Sequence, residues 1–167
     1  GTRRHSRHLY RLGNHSEDPG RKITAAYCTS DSQSILDDPA INTVLIGTRH
    51  DSHAALTIKA LLAGKHVFVE KPLCLTEDEL KDIRSVYEKK APDGLQLMVG
   101  FNRRFSPHAQ EAGRFFASRV NPLVMLYRIN AGRIPADHWV QHPDIGGGRL
   151  IGEMCHFVDY MQALSAS

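Results

Sequence analysis

Three short apolar runs, separated by stretches of helical character, constrain this chain more than any other feature. Thr43-Val44-Leu45-Ile46-Gly47 and Val67-Phe68-Val69 are apolar without alternation, and Leu95 to Val99 supplies a third run. Such runs read as strands covered on both faces, the pattern of parallel sheets. After the first, Asp51 or Ser52 stands where a helix cap belongs. Ala54, Ala55, Ile58, Leu61 and Leu62 then follow helical spacing until Gly64 supplies a left-handed stop. After the second, Thr76 and Glu79 form a capping box ahead of Leu80, Ile83, Val86 and Tyr87, and Pro92 and Gly94 end that helix. Ser106-Pro107 opens a further helix. Strands joined by helices of this length give right-handed βαβ crossovers and an α/β fold on a parallel sheet. Upstream, Lys22 to Tyr27 is β-prone, and Ser32 to Leu36 reads as a brief helix stopped by Asp37-Asp38-Pro39.

The rhythm changes after Arg119. Pro122 to Ile129 reads as a longer strand, Ala131 to Arg149 as a long irregular stretch, and Leu150 to Leu164 as a helix. The expected organisation is therefore one domain over 1–120 and the beginning of a second over 121–167. Of the 167 residues 41% are hydrophobic and 23% charged, which excludes coiled-coil, collagen-like and wholly disordered classes. The net charge is only +3, and the amino-terminal arginines and histidines are not interleaved with aromatics, so no nucleic-acid partner is expected. No run approaches the roughly 18 apolar residues of a membrane span, so no membrane partner is expected either. Cys28, Cys74 and Cys155 form no C-x-x-C pair, which points to a reducing, cytoplasmic setting.

Ligands of open parallel sheets bind beyond the carboxyl ends of the strands. Those ends deliver Thr48-Arg49-His50-Asp51-Ser52-His53, then Glu70-Lys71-Pro72, then Gly100-Phe101-Asn102-Arg103-Arg104, all toward one edge. Lys71 is the residue of most chemical interest, because a lysine amine drawn partly out of water exchanges protons more readily. Pro72 after a buried strand fixes a turn and is a site for a cis bond. Glu153 and His156 are three apart on a predicted helix, a spacing that suits general acid/base work or a structural pair. His50-x-x-His53 and His138-x-x-x-His142 have spacings a metal could use, but no cysteine or acidic cluster converges on them, and no metal is expected. Gly146-Gly147-Gly148 with Arg149 reads either as a phosphate cradle or as an entry to the last helix, and Trp139 as a lid or a packing anchor.

Together these clusters resemble the Gfo/Idh/MocA family of nicotinamide-dependent oxidoreductases. The resemblance spans roughly Tyr27 to Gln162. Its most specific element is Ala63-Gly64-Lys65-His66-Val67-Phe68-Val69-Glu70-Lys71-Pro72, supported by Asp38 to Val44, Thr48 to His53, Gly100 to Phe105, and Gly146 to Asp159. It implies a partial Rossmann-like parallel sheet followed by the start of an open-sheet α/β domain for substrate binding and oligomerisation. It also implies NAD or NADP as cofactor, and hydride transfer to or from a secondary alcohol of a polyol, sugar or nucleotide-sugar. By the same resemblance Lys71 takes or gives the hydroxyl proton, His156 assists, and Glu153 is a further catalytic candidate. Thr48, Arg49, His50, His53, Glu70, Lys71, Asn102 and Arg103 would line the cofactor, and the assembly would be a homo-oligomer.

The chain departs from the family pattern in two places. Many members carry an aspartate four residues before the catalytic histidine, whereas here that position is Gly152 with Glu153 beside it. No G-x-G-x-x-G turn occurs anywhere in the 167 residues, although such a turn holds the pyrophosphate of a dinucleotide. The resemblance therefore implies an internal piece of a longer member. The competing expectation is a non-catalytic scaffold or ligand-binding module that cannot bind NAD(P) for want of that loop, and a third is a binder of phosphate or sugar-phosphate at Gly146 to Arg149.

Overall fold

The computed structural model describes residues 27–165. Helix α1 (Ser32–Leu36) is capped by Asp31, whose carboxylate accepts from the amides of Gln33 and Ser34. Three parallel strands follow: β1 (Thr43–Ile46), β2 (His66–Val69) and β3 (Leu97–Val99), side by side in sequence order. Their register sets Val44 against Val67, Leu45 against Phe68, and Val69 against Val99. Helix α2 (His53–Leu62) crosses from β1 to β2, and α3 (Glu77–Lys90) crosses from β2 to β3. Most of the run Lys22 to Tyr27 lies outside the described residues.

The apolar runs pair as strands, but not with equal cover on both faces. Val44, Ile46, Val67 and Val69 point into a core that also holds Ile35 and Leu61. The opposite row of Leu45, Phe68 and Met98 is only partly covered, with Leu45 and Met98 exposed. The buried stripe of α2 also differs from its apolar spacing. It runs through His53, Ala54, Thr57, Ala60 and Leu61, while Ala55 and Leu62 face outward. In α3 only Ile83 is fully buried and Leu80 is exposed.

The punctuation predicted by residue type is present. Thr76 accepts from the Glu79 amide, and the Glu79 carboxylate receives the amides of Leu75 and Thr76. Ser106 accepts from the Ala109 amide at the start of α4 (Pro107–Phe116). Gly64 stands just past α2 with a positive φ of 71°, where a side chain would be strained. Lys65 breaks the usual rule for lysines: it is 6% exposed, and its ammonium donates to the carbonyls of Asp38 and Ile41.

The carboxyl-terminal part departs from expectation. Pro122 to Ile129 forms no strand, because it lies against no partner strand among the described residues, and Val124 and Leu126 are each 95% exposed. Within the stretch expected to be irregular, a 3-10 turn (Trp139–Gln141) leads into the short helix α5 (Pro143–Gly146). The last helix opens with a π-turn (Leu150–Met154) before continuing as α6 (Cys155–Ser165).

Candidate functional site

The parallel order of β1, β2 and β3 carries their three exits to one edge of the sheet. At the first exit His53 is 1% exposed and both ring nitrogens are committed to the backbone. Nδ1 lies 2.7 Å from the Pro72 carbonyl and Nε2 lies 3.0 Å from the Thr48 carbonyl. His53 therefore ties the exit of β1 to the exit of β2. Thr48 and Ser52 share a hydroxyl–hydroxyl bond, and Ser52 also donates to the Arg49 carbonyl. Ser52 precedes α2 without capping it through its side chain.

At the second exit Glu70 is exposed and Lys71 half-buried, and the Lys71–Pro72 bond is cis. Glu70 lies across the third exit: a Cβ on Gly100 would stand 3.0 Å from a Glu70 carboxylate oxygen. Asn102 and Arg103 are exposed at that exit, and the Arg103 guanidinium sits 4.8 Å from the centre of the Phe157 ring.

The carboxyl-terminal elements close over this edge. Lys71 Nζ donates to the Gly152 carbonyl at 2.8 Å, within the π-turn. Such turns carry one extra residue per loop of helix and often mark functional sites. His50 Nδ1 lies 2.8 Å from the Gly146 carbonyl, and Trp139 meets the His50 ring edge-on at 5.0 Å. The Arg49 guanidinium stands 5.7 Å from the Trp139 ring centre, so the only tryptophan is a packing anchor over the exit of β1.

Two of the three glycines in the run are taken up by packing, while Gly148 meets open space. A Cβ on Gly146 would collide with the backbone of Val140 at 2.4 Å, and one on Gly147 would meet Leu75 and Ile151. Arg149 donates to the Gly132 carbonyl. These contacts favour the entry to the last helix over the phosphate cradle. His138 accepts from the Val140 amide, and no group of three or more metal-ligating side chains is found among the described residues. No helix among them is long and apolar enough to cross a membrane.

His156 is buried on α6, and its Nδ1 has no hydrogen-bond partner among the described residues. Burial holds its pKa below the usual histidine value, and the cations Lys71 and Arg103 push it further down against the carboxylates of Glu153 and Glu70. His50 is held low in the same way, first by burial, with Lys71 and His53 adding to the effect while the Gly146 bond and Glu153 oppose it. Burial likewise pushes the Cys155 thiol up, although nearby Lys71 partly offsets the rise. Lys71, His50, His156 and Glu153 thus share one electrostatic neighbourhood.

Sequence reasoning missed Asp159. This buried carboxylate, one helical turn beyond His156, receives Arg104 in a two-pronged ion pair, with Nε at 2.8 Å. The signal was an acid set within the apolar run Phe157 to Met161. The pair ties the segment after β3 to α6, where the His156 ring lies 6.1 Å from that of Phe101.

The family described as "Oxidoreductase family, NAD-binding Rossmann fold" (GFO_IDH_MocA) matches residues 7–101. The chain belongs to the Gfo/Idh/MocA oxidoreductase family. Among curated relatives it is 37% identical over 103 residues to scyllo-inositol 2-dehydrogenase (NAD(+)) of Bacillus subtilis (strain 168), covering 62% of this chain and 29% of that protein. It is 36% identical over 111 residues to levoglucosan dehydrogenase of Pseudarthrobacter phenanthrenivorans, covering 66% of this chain and 28% of the relative. A solved levoglucosan dehydrogenase in complex with NADH and levoglucosan superposes with a TM-score of 0.75 at 28% identity, covering 93% of this chain and 43% of that one. The Gfo/Idh/MocA chain described here thus spans less than half the length of these relatives.

Proposed function

We propose that this chain carries the catalytic middle of an NAD(P)-dependent dehydrogenase, moving hydride between a nicotinamide cofactor and a secondary alcohol of a polyol, sugar or nucleotide-sugar. The observation that carries the reading is the placement of Lys71. Its amine stands half-buried at the exit of β2, held by the Gly152 carbonyl, with the buried His156 in the same electrostatic neighbourhood. A pure scaffold has no need of a proton-transfer pair at the edge where open sheets bind ligands.

The exposed groups at the three exits suit the nicotinamide end of a dinucleotide. Thr48 and Arg49 would flank it from β1, Glu70 would approach its ribose, and Asn102 and Arg103 would close it from β3. His50 and His53 support this wall through the backbone. When bound, the cofactor supplies the hydride acceptor or donor. As the free amine, Lys71 Nζ takes the hydroxyl proton in oxidation and becomes the ammonium, and as the ammonium it returns that proton in reduction. His156, kept neutral by burial, orients the hydroxyl and accepts a proton in turn, and Glu153 tempers the positive charge around the pair. We read residues 121–167 as the start of a second domain that closes substrate and subunit contacts. The exposed apolar residues Val120, Val124 and Leu126 support that reading, as they support a homo-oligomer.

The test is titration with NADH and NADPH followed by turnover on polyols and nucleotide-sugars. Lys71→Ala should lower turnover by about 100-fold or more, equivalent to about 2.7 kcal/mol of barrier, while cofactor binding persists. Turnover within about threefold of the parent, under about 1 kcal/mol, would remove Lys71 from proton transfer. A folded chain that binds neither nucleotide would be the scaffold instead.

A further inference from the structure

Two groups already occupy the place a side chain at Gly152 would take. A Cβ there would stand 2.9 Å from the Gly146 carbonyl oxygen and 3.2 Å from Cε1 of His50. Those groups are bonded to each other, with His50 Nδ1 2.8 Å from that same oxygen. A carbonyl only accepts, so Nδ1 carries the proton and donates. On its other side Gly152 offers its own carbonyl to Lys71 Nζ. His50, Gly146, Gly152 and Lys71 therefore form one connected path from the exit of β1, through the carboxyl-terminal turns, to the exit of β2.

His50 is buried, and its ring is fixed on two further sides, edge-on by Trp139 and tilted against His53 with centroids 5.7 Å apart. An imidazole held from three directions has one position, and so has the carbonyl it grips. We propose that His50 is a positioning residue for Lys71: its Nδ1–H fixes the Gly146 carbonyl where that oxygen lies against Gly152, and the Gly152 carbonyl is thereby presented to the Lys71 ammonium. The importance of this device for turnover rests on the proton-transfer role proposed above, but the geometry can be tested without turnover.

The experiment is limited acetylation of the folded chain with acetic anhydride, reading Lys71 by mass spectrometry against Lys65 as an internal reference. Lys65 stands at the other end of β2, held by Asp38 and Ile41. His50→Ala should raise labelling of Lys71 by about fivefold, the effect of losing one net hydrogen bond, and leave Lys65 unchanged. His50→Asn should restore the parent rate, because its Nδ2 occupies the same branch position and donates in the same way. Unchanged labelling at Lys71, an equal rise at both lysines, or failure of His50→Asn to restore the rate would each overturn the proposal. If His50→Ala does not fold, Gly152→Ala serves in its place, since the added Cβ must displace the His50–Gly146 contact. It should open Lys71 and not Lys65, and equal protection of both would again overturn the proposal. NADH titration separates the two readings: a chain that binds no nucleotide yet keeps this labelling pattern loses the dehydrogenase reading and retains the positioning of Lys71.

Discussion

Val69 and Leu126 are aliphatic residues in runs of strong strand propensity, and they meet opposite environments. Val69 is fully buried, paired through its strand with Ile46 on one side and Val99 on the other. Leu126 lies in a segment without regular structure and is almost fully exposed. The contrast extends to their regions. Residues 27–119 contain a sheet, its crossover helices and an apolar core, whereas residues 120–133 follow α4 with no regular structure. Strand propensity measures how well a side chain suits a pleated, half-buried surface, and it has no effect until a neighbouring strand supplies that surface. The amino-terminal region is held by its own burial, and the carboxyl-terminal region is held onto it by particular bonds at the site.

Shortening one side chain in each region should cost very different amounts of stability. Leu61→Ala, at a site with no exposed area, should cost about 2–5 kcal/mol in denaturant unfolding. Leu126→Ala should fall within about 0.5 kcal/mol of the parent. Equal losses would mean that the exposed segment is buried in solution. A smaller contrast lies within the glycine run. Gly146→Ala drives a Cβ into the Val140 backbone, which cannot swing aside, and should cost about 3 kcal/mol. Gly148→Ala meets open space and should cost only about 1 kcal/mol for its positive φ of 66°. Melting temperatures of the two variants would rank them.

The smallest effect is a pH dependence that senses the join between the regions. His50 and His156 both have pKa values lowered in the fold from the ordinary 6.5, so the unfolded chain binds protons first as the solution is acidified. Their contribution to stability is complete above about pH 6.5 and is lost as pH falls through the lowered folded values. Thermal melts from about pH 8 to about pH 5 should decline over that window, and His50→Asn should flatten the decline. A decline that began only near the carboxylate range, about pH 4, would show that neither histidine is held neutral.

Much of the sheet was legible because its signals are local. Thr43 to Gly47 and Val67 to Val69 stand out as runs, and the capping box at Thr76 and Glu79 lies within four residues. The edge where the three exits meet followed from topology. The register of burial did not, because apolar spacing on α2 could not decide between Thr57, which is buried, and Leu62, which is not. Nor did Lys65 announce itself, since only the carbonyls of Asp38 and Ile41 make its burial tolerable. At the site, Lys71, Glu153 and His156 were visible as residue types in a familiar order. The bonds from His50 to Gly146 and from Arg104 to Asp159 were not, for each depends on where two distant segments meet.

That distance has a kinetic consequence. The strands are neighbours in sequence order, so the sheet assembles through short crossovers. The bond from Lys71 to Gly152 spans 81 residues, and that from His50 to Gly146 spans 96. Closing loops of such length costs entropy before any contact repays it, which favours the sheet as an early structure and the site as a late one. Pulsed hydrogen exchange during refolding should therefore protect the amides of β2 before those of the last helix, and reversed timing would refute this order. A newly made chain would pass through an interval in which its scaffold is complete and its lysine is still unheld. The bond from Lys71 to Gly152 would then be among the last contacts of the fold to form.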